Sequence, residues 1–198
     1  MRIGLYNKPT TDKISKYRGL NRQNNLIDYL DGRNNILNNM IEWFFSLSNG
    51  DMPIEYTKDN INKSLHLLKA LRDEKWQGEL IMFTDDTKLE IPSGFDLIGY
   101  DICADSMYYS PLGDGFLLSY IDNDTFFLKM SKEHYREYVN DLTEEGLFRS
   151  YEVANNFANY CNIINNQYPH IVESEENWRP FAIYAQNSIS AEYIGISS

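Results

Sequence analysis

From Asn34 onward, Leu37, Met40, Ile41, Phe44, Phe45 and Leu47 recur mostly at three- and four-residue steps, the spacing of one apolar stripe on a helix. Asn49-Gly50-Asp51-Met52-Pro53 ends that pattern. A second helix is expected from about Asp59 to Arg72, where Ile61, Leu65, Leu68 and Leu71 share a face and Asp59 stands at the N-cap position. Two such helices joined by a short turn pack antiparallel.

After Trp76 the period shortens to two. Leu80-Ile81-Met82-Phe83 is an apolar run closed by Thr84-Asp85-Asp86, and Ile98, Tyr100, Ile102 and Ala104 alternate with Leu97, Gly99, Asp101 and Cys103. Both read as strands. Phe116–Ile121 and Thr125–Leu128 read as a further pair joined by a turn at Asp122-Asn123-Asp124. A helix follows from Ser131, its N-cap, through Tyr135, Tyr138, Val139 and Leu142, and Gly146 interrupts it. The next opens at Ser150: Val153, Phe157, Cys161 and Ile164 form its apolar stripe with Ala154 and Ala158 beside them, while Asn155, Asn156, Asn159 and Asn162 face water. Phe181–Ala185 supplies a late strand.

No helix alternates regularly with these strands, which disfavours a doubly wound parallel sheet. The expectation is an α+β fold, an antiparallel sheet packed against helices with a helical N-terminal part. Residues 1–25 hold six Lys or Arg against Asp12 alone, with few bulky apolar groups, and read as a loosely held basic arm. Residues 26–198 then form a single domain, helical over about 26–76 and sheet-containing over about 77–198.

The net charge of -11 is unevenly placed. Residues 1–76 carry 12 Lys/Arg and 9 Asp/Glu, whereas residues 77–198 carry 6 and 20. A surface so acidic repels phosphate backbones, so nucleic acid is not an expected partner. The opening residues lack a signal-peptide core, and no stretch of ~18 apolar residues occurs, so neither export by that route nor a membrane span is expected. The reading is a cytoplasmic protein whose two cysteines, Cys103 and Cys161, are reduced thiols.

Candidate chemistry is sparse. The three histidines and two cysteines show no zinc-ligand spacing, Asp122-Asn123-Asp124 lacks the later ligands of a calcium loop, and Gly113-Asp114-Gly115 is too short for a phosphate-binding signature. No metal and no cofactor are expected. Cys103 with His66, His134 or His170, or the Asp101/Asp105 pair, could serve a hydrolase, but a thiol in a strand or on an apolar stripe is ordinarily a small buried hydrophobe. The densest stretch runs from Tyr100 to Asp114, where Tyr108 and Tyr109 lie among Asp101, Asp105 and Asp114. Tyrosine supplies contact area at low entropic cost and carboxylates select a basic partner, so these five residues are the candidate partner-binding patch. The alternative is that the two tyrosines pack over a sheet edge.

Gly99-Tyr100-Asp101 leading into Tyr108-Tyr109-Ser110-Pro111-Leu112, then Gly146-Leu147-Phe148, the helix from Val153 to Ile164, and Trp178–Tyr184 together resemble the small acidic immunity proteins that bacteria encode beside polymorphic or contact-dependent toxins. The resemblance spans roughly residues 80–185. It implies a cytoplasmic protein that binds and blocks one cognate toxin and catalyses nothing. A toxin attacking nucleic acid carries a basic cleft, toward which acid on this chain would be steered. The alternatives are the hydrolase above and a non-catalytic scaffolding module.

Overall fold

The computed structural model describes residues 1–7, 35–48, 54–76, 78–104, 131–143, 146–167 and 177–186. Five strands, β1 (Arg2–Asn7), β2 (Ile54–Glu55), β3 (Gly78–Thr84), β4 (Phe95–Ala104) and β5 (Trp178–Gln186), form one sheet in the order β2-β1-β3-β5-β4. Four helices accompany them among the described residues: α1 (Asn35–Ser48), α2 (Lys58–Asp73), α3 (Lys132–Asn140) and α4 (Tyr151–Gln167). The fold is α+β with an antiparallel sheet, as the alternating and helical periods predict. The expected strands at 116–121 and 125–128 lie outside the described residues. Contacts divide the chain into two compact units, one holding described residues 1–7, 35–48, 54–76, 78–97 and 184–186, the other 98–104, 131–143, 146–167 and 177–183.

The first unit is built on β1, which pairs antiparallel with β2 and, over its whole length from Arg2↔Phe83 to Asn7↔Gly78, with β3. Ile3 and Leu5 are fully buried there. These six residues belong to the segment read from the sequence as a basic arm; Arg2 is the only cation among them, and the sheet places them between two strands. The core joins Ile3 and Leu5 to Leu37, Ile41 and Phe44 of α1 and to Ile61, Leu67, Leu68 and Leu71 of α2. Leu47, expected on the buried stripe, is instead 47% exposed.

Thr57, not Asp59, caps α2: its hydroxyl accepts from the Asn60 N–H at 3.0 Å, while Asp59 sits in the first turn and pairs with Lys63 at 2.9 Å. A hydroxyl two residues earlier reaches the orphan amide from extended backbone, and the carboxylate keeps a favourable place near the helix's positive end. The other end closes with two crossed bonds, Lys75 N–H to Arg72 carbonyl and Trp76 N–H to Leu71 carbonyl, both 2.9 Å. Lys75 takes the left-handed conformation there (φ 68°), a position usually held by glycine. The Trp76 indole then lies across Gly78, where any Cβ would stand 1.9 Å from the ring.

In the second unit, Ser131 caps α3 as expected, its hydroxyl accepting from the His134 N–H at 3.1 Å. The chain then makes a short hairpin: Leu142 bridges Phe148, and Gly146 (φ 79°) closes the turn. Asp141 Oδ2 accepts from the Arg149 and Ser150 N–H groups at 3.1 and 3.2 Å, which fixes the entry to α4, and the Ser150 carbonyl begins that helix by accepting from the Ala154 N–H. Phe148 is bound to Tyr100 of β4 by two reciprocal backbone hydrogen bonds of 2.8 Å. Phe157, Ala158 and Cys161 of α4 pack with Ile102, Leu142 and Phe148 in a separate core. Asn162, expected to face water, instead uses its amide as a strand would: Oδ1 accepts from the Trp178 N–H at 2.6 Å and Nδ2 donates to the Trp178 carbonyl at 2.8 Å.

Candidate functional site

Among the five candidate partner-binding residues the structure describes Asp101 alone; Asp105, Tyr108, Tyr109 and Asp114 lie outside the described residues. Asp101 is 4% exposed, and its Oδ1 accepts from the N–H of Ile102, its own neighbour, at 2.8 Å. Its place in the proposed docking patch is therefore corrected: the carboxylate is folded into the second unit and presents no surface to a partner. Two residues earlier, another segment approaches the strand closely. Gly99 has φ 152°, and a Cβ there would stand 2.8 Å from Leu147 Cβ and 2.9 Å from the Phe148 carbonyl oxygen. The Leu147-Phe148 segment thus covers this part of β4, a cover that alternation along the strand cannot reveal.

The residues considered for catalysis are also dispersed. Cys103 falls in β4, but its side chain is not among the described groups, and His170 lies outside the described residues. His66 is exposed on α2 in the first unit. Cys161 is buried on α4, and burial pushes its thiol up to about 12. His134 of α3 is exposed at its outer side, yet its ring lies 5.3 Å from Tyr138 and 5.9 Å from Tyr160, so it links α3 to α4 by aromatic contact. Partial burial raises the hydroxyls of Tyr138 and Tyr160, with Cys161 adding to both. Among the described residues no group of three or more His, Cys, Asp or Glu side chains could hold a metal ion.

The Cys161 environment sets a pH dependence with a definite sign. The folded state holds the proton to about pH 12 whereas a free thiol releases it near 9, so the native protein binds more protons between those values. Stability contributed by this group is complete below pH 9 and is lost as pH rises toward 12. Cys161 should also be unreactive toward a thiol reagent at pH 8 until the chain is unfolded, as mass spectrometry of the labelled site would record. Labelling of native Cys161 at the rate of the unfolded chain would disprove its burial.

What alternation missed is acid carried on helices. Glu133 and Glu137 stand four residues apart on α3 and Glu152 opens α4, all exposed; in the first unit Asp86 and Glu90 are exposed between β3 and β4. The four-residue step of the α3 pair was readable in the sequence. A pair of like charges on one exposed helix face costs a little helix stability and leaves two carboxylates open to a cationic partner. Compared with protein-family models, with curated proteins and with solved structures, the chain matches none.

Proposed function

We propose that this chain is an immunity-type protein that binds a cognate toxin in the cytoplasm and neutralises it stoichiometrically, without catalysis. The observation that carries the reading is charge: 20 Asp/Glu against 6 Lys/Arg over residues 77–198, in a chain of net charge -11. Such a field draws a basic protein at long range and speeds encounter, after which short-range contacts set specificity. With Asp101 withdrawn from the surface, the exposed carboxylates of Glu133, Glu137 and Glu152 are the described groups of the second unit best placed to meet a basic cleft. Of the groups a hydrolase would use, Cys103 or the Asp101/Asp105 pair, only the Asp101 side chain is among the described groups, and its enclosure lends no support to the carboxylate pair.

Co-expression with the product of the adjacent gene, followed by gel filtration and a growth assay, tests this. A 1:1 complex and rescue of growth are expected, and Glu133→Lys combined with Glu137→Lys should slow association roughly tenfold at low salt, with the difference shrinking as salt is raised. Absence of a complex, together with a neighbour that is harmless alone, would overturn the assignment.

A further inference from the structure

Beside Tyr100 the sheet gains one more pairing and then stops. Among the described strands β4 stands at the end of the sheet, with β5 as its neighbour on one side. Tyr100 pairs both its N–H and its carbonyl with Phe148, so these groups point to the other, outer edge, where the hairpin from Asp141 to Arg149 lies. In an antiparallel ladder the next hydrogen-bonded pairs fall two residues away in each direction, here Ile102 with Gly146 and Ile98 with Ser150. Neither pair forms. The Ile102 N–H is accepted by Asp101 Oδ1 at 2.8 Å, and the Ser150 N–H by Asp141 Oδ2 at 3.2 Å. The facing groups of the hairpin are turned elsewhere too: the Gly146 N–H donates to the Thr143 carbonyl, and the Ser150 carbonyl accepts from the Ala154 N–H, both at 3.1 Å. An aspartate thus takes the next donor in each direction, one on β4 and one on the hairpin.

We propose that Asp101 and Asp141 are ladder stops: their carboxylates hold the hairpin to a single bridge on β4 and keep the outer edge at Ile102 from pairing with a strand of a second copy of this chain. A terminal strand carries that hazard because its outward N–H and carbonyl groups are a template for another strand, and identical chains offer identical edges. A carboxylate that takes the N–H of its own strand removes the donor an incoming strand needs. It also sets negative charge where the incoming carbonyl oxygen would sit. Asp141 acts at the matching place on the hairpin, where the same Oδ2 also receives the Arg149 N–H at 3.1 Å, and the chain turns into α4 instead of following β4. Enclosure of Asp101, 4% exposed, suits this role because the acceptor must face its own backbone and not solvent.

This inference does not depend on the toxin-binding reading. Asp101→Asn and Asp101→Val in the full chain separate the acceptor from its charge. The carboxamide keeps an oxygen for the Ile102 N–H, so Asp101→Asn should associate as wild type does. Valine favours strands and has no acceptor, so Asp101→Val should self-associate roughly tenfold more tightly than wild type in sedimentation equilibrium. Exchange of its Ile102 amide should slow as the protein concentration is raised. A folded Asp101→Val chain that associates no more tightly than wild type overturns the proposal, and so does Asp101→Asn associating as Asp101→Val does. If Asp101→Val loses its fold, NMR of the wild-type chain decides. A coupling across the hydrogen bond from the Ile102 N–H to the Asp101 carboxyl carbon is expected; a coupling to a backbone carbonyl in its place, or none, overturns the proposal.

Discussion

Replacing Phe157 by alanine should cost about 3–5 kcal/mol, a loss large enough to unfold a domain whose total stability is about 5–15 kcal/mol. Phe157 is fully buried on α4, with its ring 4.8 Å from Tyr138 of α3 and 5.6 Å from Phe148 of the hairpin. It therefore ties α4 to α3 and to the hairpin. Ala154 and Ala158 beside it are too small to fill the space left by the ring, and Phe148 is held in place by its two bonds to Tyr100, so the cavity should stay open. Urea unfolding followed by circular dichroism would show a lower midpoint with an unchanged slope. A cost under about 1 kcal/mol would mean that this core is not packed as described.

Leu5→Ala is the second large effect, expected at about 2–5 kcal/mol. This substitution separates two views of the same six residues. In a basic arm Leu5 would touch nothing lasting and its truncation would be almost silent; in β1 it is fully buried and its neighbours along the strand pair with β3. Leu5→Met, which keeps the volume, should cost less than about 1.5 kcal/mol and so shows that packing, not backbone disturbance, is being read. A thermal midpoint unchanged by Leu5→Ala would return residues 2–7 to the arm.

The helices were legible because each carries enough turns for a 3.6-residue period to stand out, and Ser131 and Ser150 mark two of their beginnings by local chemistry alone. Thr57 was missed for Asp59 because both are good capping residues and only backbone geometry chooses between them. The strand β1 was hidden for another reason: six residues give too few alternations to compete with the surrounding cations, and what makes them a strand is β3, more than seventy positions away. Asn162 illustrates the same limit, since its place among water-facing asparagines is disturbed only by the arrival of Trp178.

The linear order of residues determined which segments are helical, which alternate, and where acid accumulates. Those properties are local or additive, and a short window of sequence contains their cause. Tertiary structure decided which carboxylates reach solvent. Asp101 alternates with apolar neighbours as a surface residue would, yet it is 4% exposed and its carboxylate accepts from the N–H of Ile102 in its own strand. Burial depends on what the rest of the chain lays against a residue, and no period along the chain encodes that.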